Sequence, residues 1–139
     1  SVANKAFHQI RETGRMRLFR SSDPAFPDGG QMRDFVYVKD CVDIVVWFLQ
    51  NTIGGIFNVG SGQARTWNDL AAAVFAAMDL PANIEYVDMP EHLRGKYQNF
   101  TQADMARLAA AGYDAPMHSL TQGVTDYVRE YLLQKDPYL

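Results

Sequence analysis

Arg33 opens the run Arg33-Asp-Phe-Val-Tyr-Val-Lys-Asp40, and its guanidinium is the side chain with the most direct chemical use in this sequence. An arginine is a planar fork that matches two phosphate oxygens at once, and it is too costly to bury without a partner. A surface ion pair with Asp34 or Asp40 is the other reading of the same residue. Position alone leaves the two even.

Other spacings suggest other chemistries. Gly60-Ser61-Gly62, between a strand candidate and a helix candidate, is a turn whose backbone could approach phosphates at a helix N-terminus. Arg65 fills the place of a third glycine, and the turn comes late for opening a cofactor domain. A tight connecting turn is the better reading. Tyr131 and Lys135 have a spacing that could serve acid–base work, but they end a C-terminal helix beside Asp136-Pro137 with no cofactor motif near them. The match reads as coincidence. His8, His92 and His118 are scattered, without metal-ligand spacing. Cys41 is the only cysteine, so no internal disulfide can form. On an apolar helix it reads as a buried, inert thiol, and a cytoplasmic home fits.

The 139 residues suffice for one domain with a real core. With 47% hydrophobic and 21% charged residues the composition is globular. The longest apolar run, Ile44 to Leu49, is far too short to span a bilayer. No secretory or lipidation signature is present. The sequence begins at Ser1 and enters a helical pattern at once, so a piece of a longer protein is expected. The net charge of −3 divides unevenly: residues 1–20 carry +4 and the remainder −7. A basic pole on an acidic protein points to a local anionic ligand, with a solvated helix face as the alternative. The pI of about 5.5 and the absence of a broad basic face argue against nucleic acid.

The elements that must position these residues follow from periodicity. Val2, Phe7, Ala6 and Ile10 predict a helix over 2–13, ended by Gly14. Met16 to Phe19 is a strand candidate, and 21–31 is a loop with Pro24, Pro27, Gly29 and Gly30. Residues 33–38 predict a strand, and Asp40 a helix N-cap for a helix to about Gln50. Ile56 to Val59 predicts a short buried strand. Thr66 or Asn68 caps a helix to about Met78, Ile84 to Val87 alternates as a half-buried strand, and 90–99 is a polar loop. Thr101 is expected to cap a helix carrying Met105 and Leu108, and Ser119 a last helix. Strands alternating with helices indicate α/β with some parallel pairing.

The run Arg33-Asp-Phe-Val-Tyr-Val-x-Asp40, then Ile56-Phe-Asn-Val-Gly-Ser-Gly62 and Thr66-Trp-x-Asp-Leu70, resembles the C-terminal part of extended short-chain dehydrogenases. These are nucleotide-sugar epimerases and dehydratases. Residues 89–104, with Gly95-Lys-Tyr-Gln-x-Phe-Thr-Gln-Ala-Asp104 at their centre, and Ala110-Ala-Gly-Tyr-Asp114 narrow the resemblance to the ADP-glycero-manno-heptose 6-epimerases of lipopolysaccharide core synthesis. UDP- or dTDP-sugar enzymes share the Arg33 run but not the Tyr97 run. They stay open as an alternative, as does a non-catalytic nucleotide-binding module. The resemblance implies an α/β substrate-binding portion with a small, partly parallel sheet and flanking helices. It implies a Rossmann domain outside this chain that holds NADP and the catalytic residues. Residues 1–139 would form one substrate-binding domain, with 33–62 and the apolar faces of the helices at 2–13 and 40–50 turned toward that Rossmann domain. A homo-oligomer is implied as well. By resemblance, Phe19, Arg20, Ser21 and Ser22 lie at the sugar-nucleotide site, Arg33 at the diphosphate, and Tyr97 at the sugar or phosphate. Lys5 stands where relatives can carry a histidine that touches substrate.

Overall fold

In a computed structural model, residues 1–135 are described; Asp136 and Pro137, the neighbours of the Tyr131/Lys135 pair, lie outside the described residues. The chain opens with α1 (Val2–Thr13), which Ser1 caps by accepting from the Asn4 amide and Gly14 ends in the left-handed region at φ 69°. Then follow β1 (Met16–Phe19), β2 (Met32–Arg33), α2 (Val38–Gln50), β3 (Arg65–Thr66), α3 (Trp67–Ala77) and β4 (Ile84–Val87). A 3-10 turn at Glu91–Leu93 precedes α4 (Ala106–Ala110) and α5 (Leu120–Tyr127). The last helix widens into a π-helical turn at Val128–Leu132.

Two small sheets result. β1 pairs in parallel with β4, Met16 opposite Ile84 through Phe19 opposite Val87. β2 pairs antiparallel with β3, Met32 opposite Thr66. Met32 also bridges to Phe100 on its other side, its amide donating to the Asn99 carbonyl at 2.8 Å. Met32 is therefore the point at which three distant segments meet. The core lies where α1, α3 and α5 close on β1, through Phe7, Ile10, Val74, Phe75, Val124 and Val128. The expected mixed α/β arrangement, with a small parallel sheet and flanking helices, is present.

Thr66 and Ser119 cap as expected, each in a reciprocal capping box, with Asp69 and Gln122 respectively. Four local expectations fail. Residues 34–37 are not strand: what ties this segment to Ser61, Gly62 and Ala103 is the Asp34 carboxylate, which accepts from their amides, and not a backbone ladder. Asp40 is not the N-cap. The first turn of α2 closes from the Cys41 amide to the Tyr37 carbonyl at 3.3 Å, which makes Tyr37 the cap and draws Asp40 inside the turn. Ile56 to Val59 is neither strand nor buried: Ile56 is 86% exposed, and no strand among the described residues lies beside it. Thr101 does not cap α4, because the helix begins only at Ala106 and the Thr101 amide instead ties this segment to the Met32 carbonyl. The helix starts later, with Asp104 accepting from the Ala106 amide.

The two helices expected to leave apolar faces open behave differently. α1 buries Ala6, Phe7 and Ile10 and leaves only Val2 partly bare. α2 buries Asp40 and Ile44 but exposes Val38, Val42, Val45 and Leu49, the last at 82%. Their spacing puts these four on one stripe.

Candidate functional site

The end of β1 and the start of β2 set the site. Phe19 closes β1, and its ring stands edge-on to Tyr97 at 6.2 Å. The Met32–Phe100 bridge brings the 97–100 segment alongside β2, so that the Arg33 guanidinium lies 4.9 Å from the Tyr97 ring centroid and 6.0 Å from Trp67. One guanidinium N–H donates to the Met32 carbonyl at 2.7 Å. The sequence offered Asp34 and Asp40 as its partners, and the structure gives both to other groups.

Asp34 accepts four hydrogen bonds: two from Ser61 at 2.6 and 2.7 Å, one from Gly62 at 3.0 Å and one from Ala103 at 2.9 Å. Burial pushes this carboxyl up, but the hydrogen bonds led by Ser61 outweigh it and hold its pKa below the ordinary value. Gly60 is required beside it, because a Cβ there would lie 2.5 Å from both the carboxylate and Ala103. Asp40 is 2% exposed and receives the His118 amide at 3.1 Å and its ring Nδ1 at 2.5 Å. Arg33 is thus a half-buried cation with no carboxylate partner among the described residues.

The basic pole of residues 1–20 is mostly neutralised. Arg15 and Arg17 share Glu85, which they hold below its ordinary pKa, Arg17 first. Arg20 stands between Asp28 and Asp88, each at 3.6 Å. Lys5 and Arg11 have no carboxylate partner among the described residues, and neither do Arg33 and the Arg94 of the polar cavity described next.

Two cavities meet at Tyr97. One of about 240 Å³ lies between α1 and β1, with Lys5, Phe19, Trp67 and Tyr97 in its walls. The other, of about 700 Å³, is polar and includes Arg20, Ser21, Ser22, Arg94, Tyr97 and Asn99. The predicted residues Lys5, Phe19, Arg20, Ser21, Ser22 and Tyr97 therefore line one or both cavities, and Arg33 stacks on their shared wall. The Ser21 amide is held by the Asp28 carboxylate at 2.8 Å. Trp67, Gln31, Arg94 and Asn99 were not singled out from sequence. Nothing in a single sequence distinguishes Trp67 from a core aromatic at a helix start.

Outside the site, Tyr37 packs on Gly123, where a Cβ would lie 2.9 Å from its ring. Its hydroxyl donates to Asp126 at 2.5 Å, and Lys39 reaches the same carboxylate at 2.6 Å. Cys41 is half-buried, and burial followed by the Asp40 charge pushes its thiol up, which favours the inert form. No cluster of three or more potential metal ligands exists among the described residues. No helix among them is long and apolar enough to cross a membrane.

Against known proteins, residues 2–60 match the model of the NAD dependent epimerase/dehydratase family. The chain is 59% identical over 140 residues to the ADP-L-glycero-D-manno-heptose-6-epimerase of Nitratidesulfovibrio vulgaris, covering 100% of this chain and 43% of that protein. It resembles part of an ADP-L-glycero-D-manno-heptose-6-epimerase. The enzyme of that name from Fusobacterium nucleatum is 44% identical over 148 residues, covering 99% of this chain and 45% of its own length. The chain spans less than half of the curated relatives it matches. Among solved structures, the heptose epimerase of Helicobacter pylori superposes with a TM-score of 0.75 at 23% identity, over 94% of this chain and 37% of that one. The Thermus thermophilus UDP-glucose 4-epimerase, in complex with NAD, does so with 0.70 at 22%, over 89% and 37%. At these identities the likeness is one of fold.

Proposed function

We propose that this chain is the substrate-binding part of an NADP-dependent ADP-glycero-manno-heptose 6-epimerase. The whole protein would interconvert the D-glycero and L-glycero forms of ADP-manno-heptose for lipopolysaccharide core synthesis in the cytoplasm. The observation that carries the reading is Arg33: a half-buried guanidinium stacked on Tyr97, with both neighbouring carboxylates engaged elsewhere. A diphosphate supplies the missing anion. Lys5 lines the smaller cavity with Phe19 and Tyr97, and Arg20, Ser21 and Ser22 line the polar cavity suited to sugar hydroxyls.

The described residues do not fit NADP. The Gly60-Ser61-Gly62 turn resembles a phosphate cradle, but its Ser61 and Gly62 amides already donate to Asp34. NADP, which would accept and return the hydride at carbon 6, belongs in this reading to segments beyond this chain. Catalytic residues belong there too. Residues 33–62 form the face toward that domain, which accounts for the bare stripe on α2 and the exposed Ile56. A homo-oligomer is part of the proposal.

Proton NMR of ADP-D-glycero-D-manno-heptose with the whole protein tests this. Inversion at carbon 6 is expected from the whole protein and none from the 139-residue piece. Turnover of a UDP-sugar instead would move the reading to another nucleotide sugar, and turnover by the piece alone would overturn its assignment as the substrate-binding part.

A further inference from the structure

The cavity between α1 and β1 holds two polar groups that the chain itself leaves unsatisfied. Gln31 is 1% exposed, and its Nε2 has no hydrogen-bond partner among the described residues. The Nε1 of Trp67 is buried in the same condition. Both residues line this one cavity of about 240 Å³. Their meeting is no accident of side-chain placement. The pairing of Met32 with Thr66 sets the residue before one opposite the residue after the other, and the Trp67 amide donates to the Gln31 carbonyl at 3.2 Å. Buried donors are almost always satisfied in folded proteins, and leaving one bare costs the full desolvation of the group. Two such donors in one aromatic-walled cavity call for a flat ligand that brings hydrogen-bond acceptors.

We propose that Gln31 and Trp67 read the nucleobase of the substrate and that the base they select is adenine; this rests on the nucleotide-sugar reading above. A glutamine amide matches adenine with two bonds at once: its N–H₂ donates to a ring nitrogen while its carbonyl accepts from the exocyclic amine. The Trp67 Nε1 donates to a second ring nitrogen. Phe19 and Tyr97, edge-on to each other in the cavity wall, offer a ring face on which a flat base can stack. The diphosphate then leaves the cavity past Tyr97, where Arg33 lies.

Calorimetric titration of the whole protein with ADP and with inosine diphosphate separates base reading from phosphate binding. The two have the same size and charge, but inosine diphosphate carries a carbonyl where adenine has its amine. The wild type is expected to bind ADP about tenfold or more tightly than inosine diphosphate, and Gln31→Leu to bind both equally. Arg33→Lys should weaken both and keep their ratio. A wild type that binds both alike, or a Gln31→Leu variant that keeps the preference, overturns the base reading and leaves the diphosphate site standing. Failure of the wild type to bind either overturns the nucleotide-sugar reading and this inference with it. Should Gln31→Leu not fold, Trp67→Phe carries the test. It keeps the ring and loses the donor, and ADP affinity should fall several-fold at an unchanged melting temperature. Unchanged ADP affinity in that variant contradicts the assignment.

Discussion

Arg33 and Asp34 are adjacent in sequence and do opposite work. Asp34 is fully engaged, with four donors converging on one carboxylate, and it fastens the 60–62 turn and the 103 segment to the end of β2. Arg33, one residue earlier, keeps its charge without an acidic partner among the described residues. The depressed pKa of Asp34 fixes the sign of a pH effect. A carboxyl whose folded pKa lies below its unfolded value of about 3.9 stabilises fully above that pH, and loses the contribution as pH falls through the folded value. Asp34→Asn should therefore lower stability at neutral pH by roughly 1.5–3 kcal/mol, the scale of hydrogen bonds to a charged group. The gap to wild type should narrow only below about pH 4. Urea denaturation of the two proteins between pH 3 and 7 checks this, and a gap that stays constant across the range would contradict it.

The helices over 2–13, 67–77 and 120–127 and the strands Met16–Phe19 and Ile84–Val87 appear where expected, whereas the expected strands at 34–37 and 56–59 do not. α1, α3 and α5 announce themselves by apolar spacing, by Thr66 and Ser119 as caps, and by Gly14 as a stop, while the Ser1 cap shows only in the structure. Residues 34–37 and 56–59 have strand-forming types but no ladder here, because strand structure needs a neighbouring edge that local propensity cannot supply. Arg33 and Tyr97 stand in motifs that the sequence displays, whereas Gln31 and Trp67 stand out only in the structure, as buried donors without partners among the described residues. α2 carries the clearest consequence at this scale. Val38, Val42, Val45 and Leu49 make an apolar stripe on a helix that buries only Asp40 and Ile44. In isolation that stripe should drive the 139-residue piece to self-associate. Sedimentation velocity at low micromolar concentration is expected to show dimers or larger species, and Val45→Glu is expected to return a monomer. A clean wild-type monomer would show that the stripe is no interface.

The molecule as a whole divides into a packed side and an unfinished side. The α1–α3–α5 core is closed and carries the two cavities on one flank, where β1, β2 and the 97–100 segment converge. The α2 side is open, in keeping with a chain that covers 43% of its Nitratidesulfovibrio relative. The function proposed above gives this chain the nucleotide sugar to bind and Arg33 its diphosphate, so the most direct measurement is the Kd of the whole protein for an ADP-sugar, wild type against Arg33→Lys, with melting temperatures beside it. Lysine keeps the charge and loses the two-pronged contact. The account predicts binding weakened by roughly 1.5–3 kcal/mol at a nearly unchanged melting temperature. Tyr97→Phe should cost less, about 0.5–1.5 kcal/mol for one neutral hydrogen bond. A lowered melting temperature in Arg33→Lys with an unchanged Kd would make Arg33 a structural residue and contradict the diphosphate assignment.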